Sequence, residues 1–320
     1  MEKMKRNVVI TGASSGAGRA TALTFAKNGD DLVIASRHSK ALEELADECR
    51  AFGVLVKAIP TDVSNYHEVI NLAGIAAEGN RDIDIWINNA GVLSIGAFDL
   101  TPMEISEQVV KTNLIGYMNG AHAILPYFKS QGHGILINNI SIGGFFPVPY
   151  GAGYSAAKFG LRGFSAALKS ELKSYSRIHI CDAFPGFLDT PGMQHAANYT
   201  GKALKPGPIV YDPFRLANAI YELSIHPRSE KMVGSFSSLM RISYGLLPSL
   251  TRGIASAVIN TYLKQAKTIT PTSGNIFNSV DYGHSTHGGW GIPGKPKEHR
   301  KYIAIGTIAL LALLLTNRKI

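Results

Sequence analysis

Cysteine is nearly missing from this chain: Cys49 and Cys181 are the only two among 320 residues. They form no CxxC pair and fall in a predicted helix and a predicted strand, so a disulfide framework is excluded and buried free thiols are expected. Charge is also sparse, at 17% of residues against 45% apolar. That excludes a globally disordered chain and leaves enough apolar material for a large core. No internal repeat is visible, which excludes a solenoid. The formal charge is +9, but the basic residues form no platform interleaved with aromatics, so nucleic acid is not an expected partner. The opening Met1-Glu2-Lys3-Met4-Lys5-Arg6 has no apolar stretch of its own before the first strand-like segment. No signal peptide is therefore read, and the main domain is expected in the cytoplasm. His284 and His287 lack a third ligand at clear spacing, so no metal is expected.

What is present is an alternation. Apolar runs of strand length occur at 7–11, 31–36, 54–60, 83–88, 134–141, 178–184 and 231–236. Most are continuous rather than alternating, as strands covered on both faces require. Helical stretches lie between them at 16–28, 39–52, 65–78, 102–127, 154–175 and 212–224. The expected fold is α/β: one doubly wound parallel sheet with helices on both faces.

The first strand leads through Thr11 into Gly12-Ala13-Ser14-Ser15-Gly16-Ala17-Gly18 and then a helical run. Strand, glycine turn and helix form the context of a dinucleotide loop. Gly12 allows the turn, Gly16 lets backbone approach a pyrophosphate, and Gly18 lets helix and strand pack closely. The helix N-terminus offers N–H groups and a positive dipole end. The second strand ends in Ser36-Arg37-His38 without an acid. A carboxylate there would favour ribose hydroxyls and repel a 2′-phosphate, whereas arginine attracts one. NADP(H) is therefore expected in preference to NAD(H), which stays possible. Asp62-Val63, after the third strand, is placed for the adenine ring, although Asp62 or Ser64 is also a fit cap for the next helix.

Of 13 tyrosines, only Tyr154 has a lysine four positions later, Lys158. On a helix the two share a face. A cation beside a phenol favours the phenolate, so the Tyr154 pKa is expected to fall towards the working pH. Ser141, upstream, offers a hydroxyl for the same substrate oxygen.

These motifs together resemble the classical short-chain dehydrogenases/reductases. The matching residues run in order: Thr11-Gly12, Gly16 and Gly18; Asn88-Asn89-Ala90-Gly91; Asn113; Ser141; Tyr154 and Lys158; and Pro185-Gly186 with Thr190. The resemblance covers roughly residues 5–236. It implies a single Rossmann-type sheet of about seven strands, a catalytic set of Asn113, Ser141, Tyr154 and Lys158, and a homodimer or homotetramer packed through 102–127 and 154–175. It also implies that Tyr154 exchanges a proton with the substrate oxygen, Lys158 binds the nicotinamide ribose, Ser141 supports the developing oxyanion, and Asn113 anchors a water that relays protons to Lys158. Asn89, Ala90 and Gly91 would flank the cofactor, with Ser14, Ser15 and Ala17 in the turn and Pro185, Gly186 and Thr190 beside the nicotinamide.

Beyond residue 236 the resemblance fades. Three parts are expected: a dinucleotide-binding domain at 1–236, an extension and basic linker at 237–301, and an apolar segment at 302–316. The extension carries apolar residues at helical spacing, among them Leu239, Ile242, Leu246, Ile254 and Val258. They either wall an apolar substrate pocket, rest on a membrane or pack on protein. Residues 271–296 read as a Gly/Ser/Pro-rich linker or extended arm. The 302–316 segment is uncharged and flanked by Lys301 and Arg318. It is read as a short C-terminal membrane anchor, with burial in an oligomer as the alternative.

The expected activity is NADP(H)-dependent hydride transfer with an apolar carbonyl or secondary alcohol. The resemblance implies substrate classes such as 3-oxoacyl thioesters, steroids, retinoids or long-chain ketones. Substrate contacts are expected from Phe145-Phe146-Pro147-Val148-Pro149 and from 190–208. The alternatives are a nucleotide-dependent binding protein with little turnover, or a non-redox lyase or isomerase using the same tyrosine.

Overall fold

The structure is a computed structural model that describes residues 5–207 and 209–290. The 302–316 segment and the basic linker before it lie outside the described residues. Seven parallel strands form the main sheet: β1 (Asn7–Thr11), β2 (Asp31–Ser36), β3 (Val56–Pro60), β4 (Ile85–Asn88), β6 (Gly134–Asn139), β7 (Ile178–Pro185) and β9 (Glu230–Val233). Their order is β3-β2-β1-β4-β6-β7-β9. A small second sheet pairs β5 (Ser94–Ile95) with β8 (Ala197–Asn198).

The helices are α1 (Gly16–Lys27), α2 (Ser39–Arg50), α3 (Tyr66–Ala76), α4 (Met103–Val110), α5 (Gly116–Gln131), α6 (Ala152–Glu171) and α7 (Pro213–Ile225), followed by α8 (Ser235–Leu246) and α9 (Pro248–Gln265). The two larger apolar cores include Phe25, Leu42, Leu45 and Ile220 in one and Trp86, Leu72, Ile124 and Phe128 in the other. The strand order reverses at β1–β4, which places a crevice at the C-terminal ends of those strands. Burial on both faces explains why the strand sequences are continuous apolar runs.

The central strands also carry a buried polar chain. Register aligns Asn88 with Asn138 and Asn138 with Asp182. Asn88 donates to Asn138 at 3.1 Å, and Asn138 donates to Asp182 at 3.2 Å. Ser165 and Lys169, on α6, complete the Asp182 shell at 2.7 and 2.6 Å. Satisfied in this way, the polar groups fix register and tie α6 to the sheet.

Among the boundaries that differ from expectation, three have a visible cause. The 134–141 strand stops at Asn139, because Ser141 takes φ 88. The last strand stops at Val233, where Gly234 (φ 95) turns the chain into α8. The helix expected at 102–127 is interrupted by a π-helical stretch at Lys111–Ile115, in which the Gly116 N–H donates to the Lys111 carbonyl. Such stretches often mark functional sites.

Candidate active site

One cavity of about 1100 Å³ opens at the crevice. It is lined by Gly12, Ser14, Ser15, Gly16, Ala17, Gly18, Ser36, Arg37, Asp62, Val63, Asn89, Ala90 and Gly91, and by Ser141, Tyr154, Lys158, Pro185, Gly186 and Thr190. Thr11 and Asn113 are absent from the lining and support it from behind. Thr11 Oγ1 donates to the Ile87 carbonyl at 3.2 Å and accepts the Asn89 N–H at 3.0 Å. The Asn89 side chain donates to the carbonyls of Thr11 and Gly12, both at 3.1 Å.

The glycine turn works through close approach. A Cβ on Gly18 would stand 2.1 Å from the Gly12 carbonyl oxygen, and one on Gly12, at φ 64, would stand 2.5 Å from Ala90 Cα. Only glycine allows β1, the turn and α1 to meet this tightly.

At the β6 end, Ser141 holds a left-handed backbone that a non-glycine residue adopts only under strain. Its Oγ accepts the Gly143 N–H at 3.2 Å and hydrogen-bonds the Tyr154 hydroxyl. One turn along α6, Lys158 is 4% exposed. Its Nζ donates to the Asn139 carbonyl at 3.3 Å and stands 4.8 Å from the Tyr117 ring centre and 5.9 Å from that of Tyr154. The Tyr117 hydroxyl donates to the same carbonyl at 2.9 Å.

The expected fall in the Tyr154 pKa is not what this geometry produces. Burial pushes the phenol up, against the smaller opposing effect of the Ser141 hydrogen bond. Burial also pushes Lys158 down to about 7. Desolvation disfavours both charged forms and outweighs the attraction that the i, i+4 spacing led us to expect.

Asn113 also differs in detail. Its side chain is consumed by Val92: Oδ1 accepts the N–H at 2.8 Å and Nδ2 donates to the carbonyl at 2.7 Å. A water anchored here would meet main chain, and Asn113 lies within the π-helical stretch that rearranges those carbonyls. Asp62 Oδ1 accepts from Ser64 N–H at 2.9 Å and Ser64 Oγ at 2.7 Å, while Asn65 caps α3 in its place.

Arg37 is engaged by this chain itself. Its guanidinium donates to the carbonyls of Asn275, Ile276 and Phe277 at 2.6, 3.2 and 3.1 Å. The 271–290 arm thus packs on the crevice, and Asn275, Ser279, Val280 and His284 join its lining. These residues were missed in the sequence, where a Gly/Ser/Pro-rich stretch carries no periodicity.

The other end of the cavity is apolar. Phe146, Val148 and Pro149 line it as expected, as do Met193 and Leu204 from the 190–208 segment. Phe145 turns inward, packed on Phe184 at 4.6 Å between the guanidinium groups of Arg162 and Arg241. From α8 and α9, Leu239, Leu246, Leu250, Ile254 and Val258 close the wall. The extension therefore lines the pocket, one of the roles its pattern left open.

Glycines that admit backbone approach, the buried Ser36 Oγ and Asn139 Oδ1 atoms that take no hydrogen bond from the described residues, and Lys158 in the same lining fit a nicotinamide dinucleotide. The family model for short chain dehydrogenases matches residues 6–200. The chain belongs to the short-chain dehydrogenase/reductase family. It is an oxidoreductase of the class that acts at CH–OH carbons with a nicotinamide cofactor. An uncharacterized oxidoreductase of Bacillus subtilis, YxnA, is 33% identical over 78% of this chain and 72% of its own. Estradiol 17-beta-dehydrogenase 11 of Macaca fascicularis is 30% identical over 79% of this chain and 83% of its own. An alcohol dehydrogenase from Thermococcus sibiricus, solved with 5-hydroxy-NADP, superposes with TM-score 0.63 at 27% identity, covering 71% of this chain and 95% of that one.

Proposed function

We propose that this oxidoreductase uses NADP(H) to interconvert an apolar carbonyl compound and its secondary alcohol. The observation that carries the reading is that Ser141 and Tyr154 line one cavity together with the glycine turn and the apolar residues of α8 and α9. When bound, the nicotinamide gives or takes the hydride. The protein must then supply one proton, one hydrogen bond and the exclusion of water.

Tyr154 supplies the proton. Burial keeps its phenol protonated at neutral pH, the state needed to donate to a carbonyl oxygen. Ser141 Oγ, fixed by the Gly143 N–H, holds that same oxygen as charge develops. Lys158, shifted to about 7, takes up or gives up its own proton near neutrality and holds the nicotinamide ribose. Asn113 acts through Val92 as a positioning residue.

The apolar wall from α8 and α9 supports a lipid-like substrate, and the estradiol dehydrogenase among the relatives is consistent with a steroid or similarly apolar molecule. The lack of an acid at the end of β2 supports NADP(H), as does the 5-hydroxy-NADP in the archaeal relative; Arg37, whose guanidinium holds the carbonyls of 275–277, contributes positive charge there. NAD(H) is the alternative. Among the described residues no helix is long and apolar enough to cross a membrane, so membrane attachment stays a proposal resting on the 302–316 sequence. Flotation of the full chain with liposomes tests it.

The deciding experiment follows NADPH oxidation, with NADH in parallel, across apolar ketones and 3-oxoacyl thioesters in detergent. Turnover should vanish in Tyr154→Phe. Faster turnover with NADH overturns the cofactor preference. A substrate converted without stoichiometric loss of NADPH points to the lyase or isomerase chemistry.

A further inference from the structure

Residues 267–290 form a strap that bridges the two lips of the dinucleotide crevice. On one lip, Arg37 binds three successive strap carbonyls, Asn275 to Phe277. Next to it, the His38 ring packs at a tilt against His284, 4.1 Å between centroids, and His38 Nε2 pairs with Asp281 at 3.1 Å. On the other lip, the segment after β7 holds the strap through the His195 carbonyl, which accepts the Asn275 N–H at 2.9 Å, and through Asp189, whose Oδ1 accepts the Trp290 N–H at 2.8 Å. Between the lips, the Ser285 carbonyl accepts the Gly16 N–H at 3.0 Å, at the start of α1. The strap is shaped for this position. Gly274 and Gly283 take φ 52 and 70, and a Cβ on either would stand within 2.1 and 2.4 Å of His195 atoms.

Three buried polar atoms at this crossing take no hydrogen bond from the described residues: Ser36 Oγ on β2, and Asn275 Oδ1 and His284 Nε2 on the strap. All three residues line the cavity. Burying such atoms unpaired is costly, because their hydration is lost without replacement. Their grouping beside the end of β2, where a dinucleotide places its adenosine ribose, indicates a missing polar partner. The set can accept and donate, as ribose hydroxyls or a 2′-phosphate require.

We propose that the strap completes the dinucleotide site: Asn275 and His284, with Ser36, hold the adenosine-ribose end of the cofactor, and the strap must lift for the cofactor to leave. The strap residues are then cofactor ligands contributed by the extension beyond residue 236. Arg37 acts first as the anchor that seats them. The proposal rests on the nicotinamide-dinucleotide reading above.

The test uses full-length protein and measures NADPH and NADH dissociation constants by fluorescence titration for wild type, Asn275→Ala and His284→Ala. Melting curves confirm that each variant is folded. Each variant is expected to bind about tenfold more weakly, one hydrogen bond's worth, and to release NADPH faster in stopped flow. Hydrogen exchange of 267–290 in wild type should slow when NADPH is added. A loss confined to NADPH supports the proposal equally and assigns the contact to the 2′-phosphate. Wild-type affinity and release in both folded variants, with strap exchange unmoved by NADPH, overturns the strap's role and leaves the oxidoreductase reading intact. Wild type that binds neither dinucleotide overturns the cofactor reading and the strap proposal with it.

Discussion

Gly143 and Tyr154 are packed so closely that a Cβ on the glycine would stand 2.9 Å from Cε1 of the phenol ring. The same glycine donates its N–H to Ser141 Oγ. One residue without a side chain therefore positions both groups proposed to meet the substrate oxygen. Gly143→Ala must displace the Tyr154 ring or the loop. We expect kcat to fall by roughly 100-fold, the scale of a misplacement near 1 Å. NADPH affinity should stay within about twofold, because the glycine turn is untouched. Steady-state kinetics beside a binding titration separate the two effects. An unchanged kcat means that the phenol is not held by this contact.

Lys158 should weaken the ligand-free fold. Its pKa in the folded chain, about 7, lies below the ordinary 10.5 because the ammonium is buried. Between those values the unfolded chain binds the extra proton, so stability rises with pH. Below about pH 7 both states are charged and the burial cost is fully present. Lys158→Met removes the cost, and without dinucleotide it should be about 1–4 kcal/mol more stable than wild type at pH 7. The difference should shrink towards pH 10. Turnover should be lost at every pH. Chemical denaturation across this range checks the sign, and a variant less stable at pH 7 refutes the argument.

Asp182 presents the opposite case, a buried charge with every partner in place. It is 1% exposed and accepts from Asn138, Ser165 and Lys169. Asp182→Ala strands all three donors. We expect a loss of about 3–5 kcal/mol, seen as a fall in Tm of roughly 10 °C. Removal of the ion pair alone, in Lys169→Met, should cost less, because Asn138 and Ser165, whose hydroxyl reaches both oxygens, still hydrogen-bond the carboxylate. Equal melting points for the two variants argue against the network.

The faces expected to pair subunits carry exposed apolar side chains: Met103, Ile115, Met118 and Phe159 on α4, the π-helical stretch, α5 and α6. Exposed apolar residues gathered on neighbouring helices mark interaction surfaces. Phe159→Glu is expected to reduce the solution mass from a multiple of the chain to that of one chain, read by light scattering. A wild type that is already monomeric sinks this interface.

The order of strands and helices, the glycine turn and the shared helix face of Tyr154 and Lys158 were legible in the sequence. Each rests on a local rule: continuous apolar runs for doubly covered strands, glycines where backbones touch, and an i, i+4 pair on one helix face. The small second sheet was not legible, since two-residue strands carry no pattern. The sequence by itself determined that Tyr154 and Lys158 share a helix face. Only the tertiary structure decided their protonation, because the depth of burial sets the desolvation cost and that depth depends on Tyr117 and Asn139 from distant segments. The same holds for Arg37. Its charge at the end of β2 could be read from the chain, but its partners are carbonyls more than 230 residues away. Contacts made to backbone leave no trace in side-chain identity, and so a stretch composed like a linker folds as a strap over the crevice.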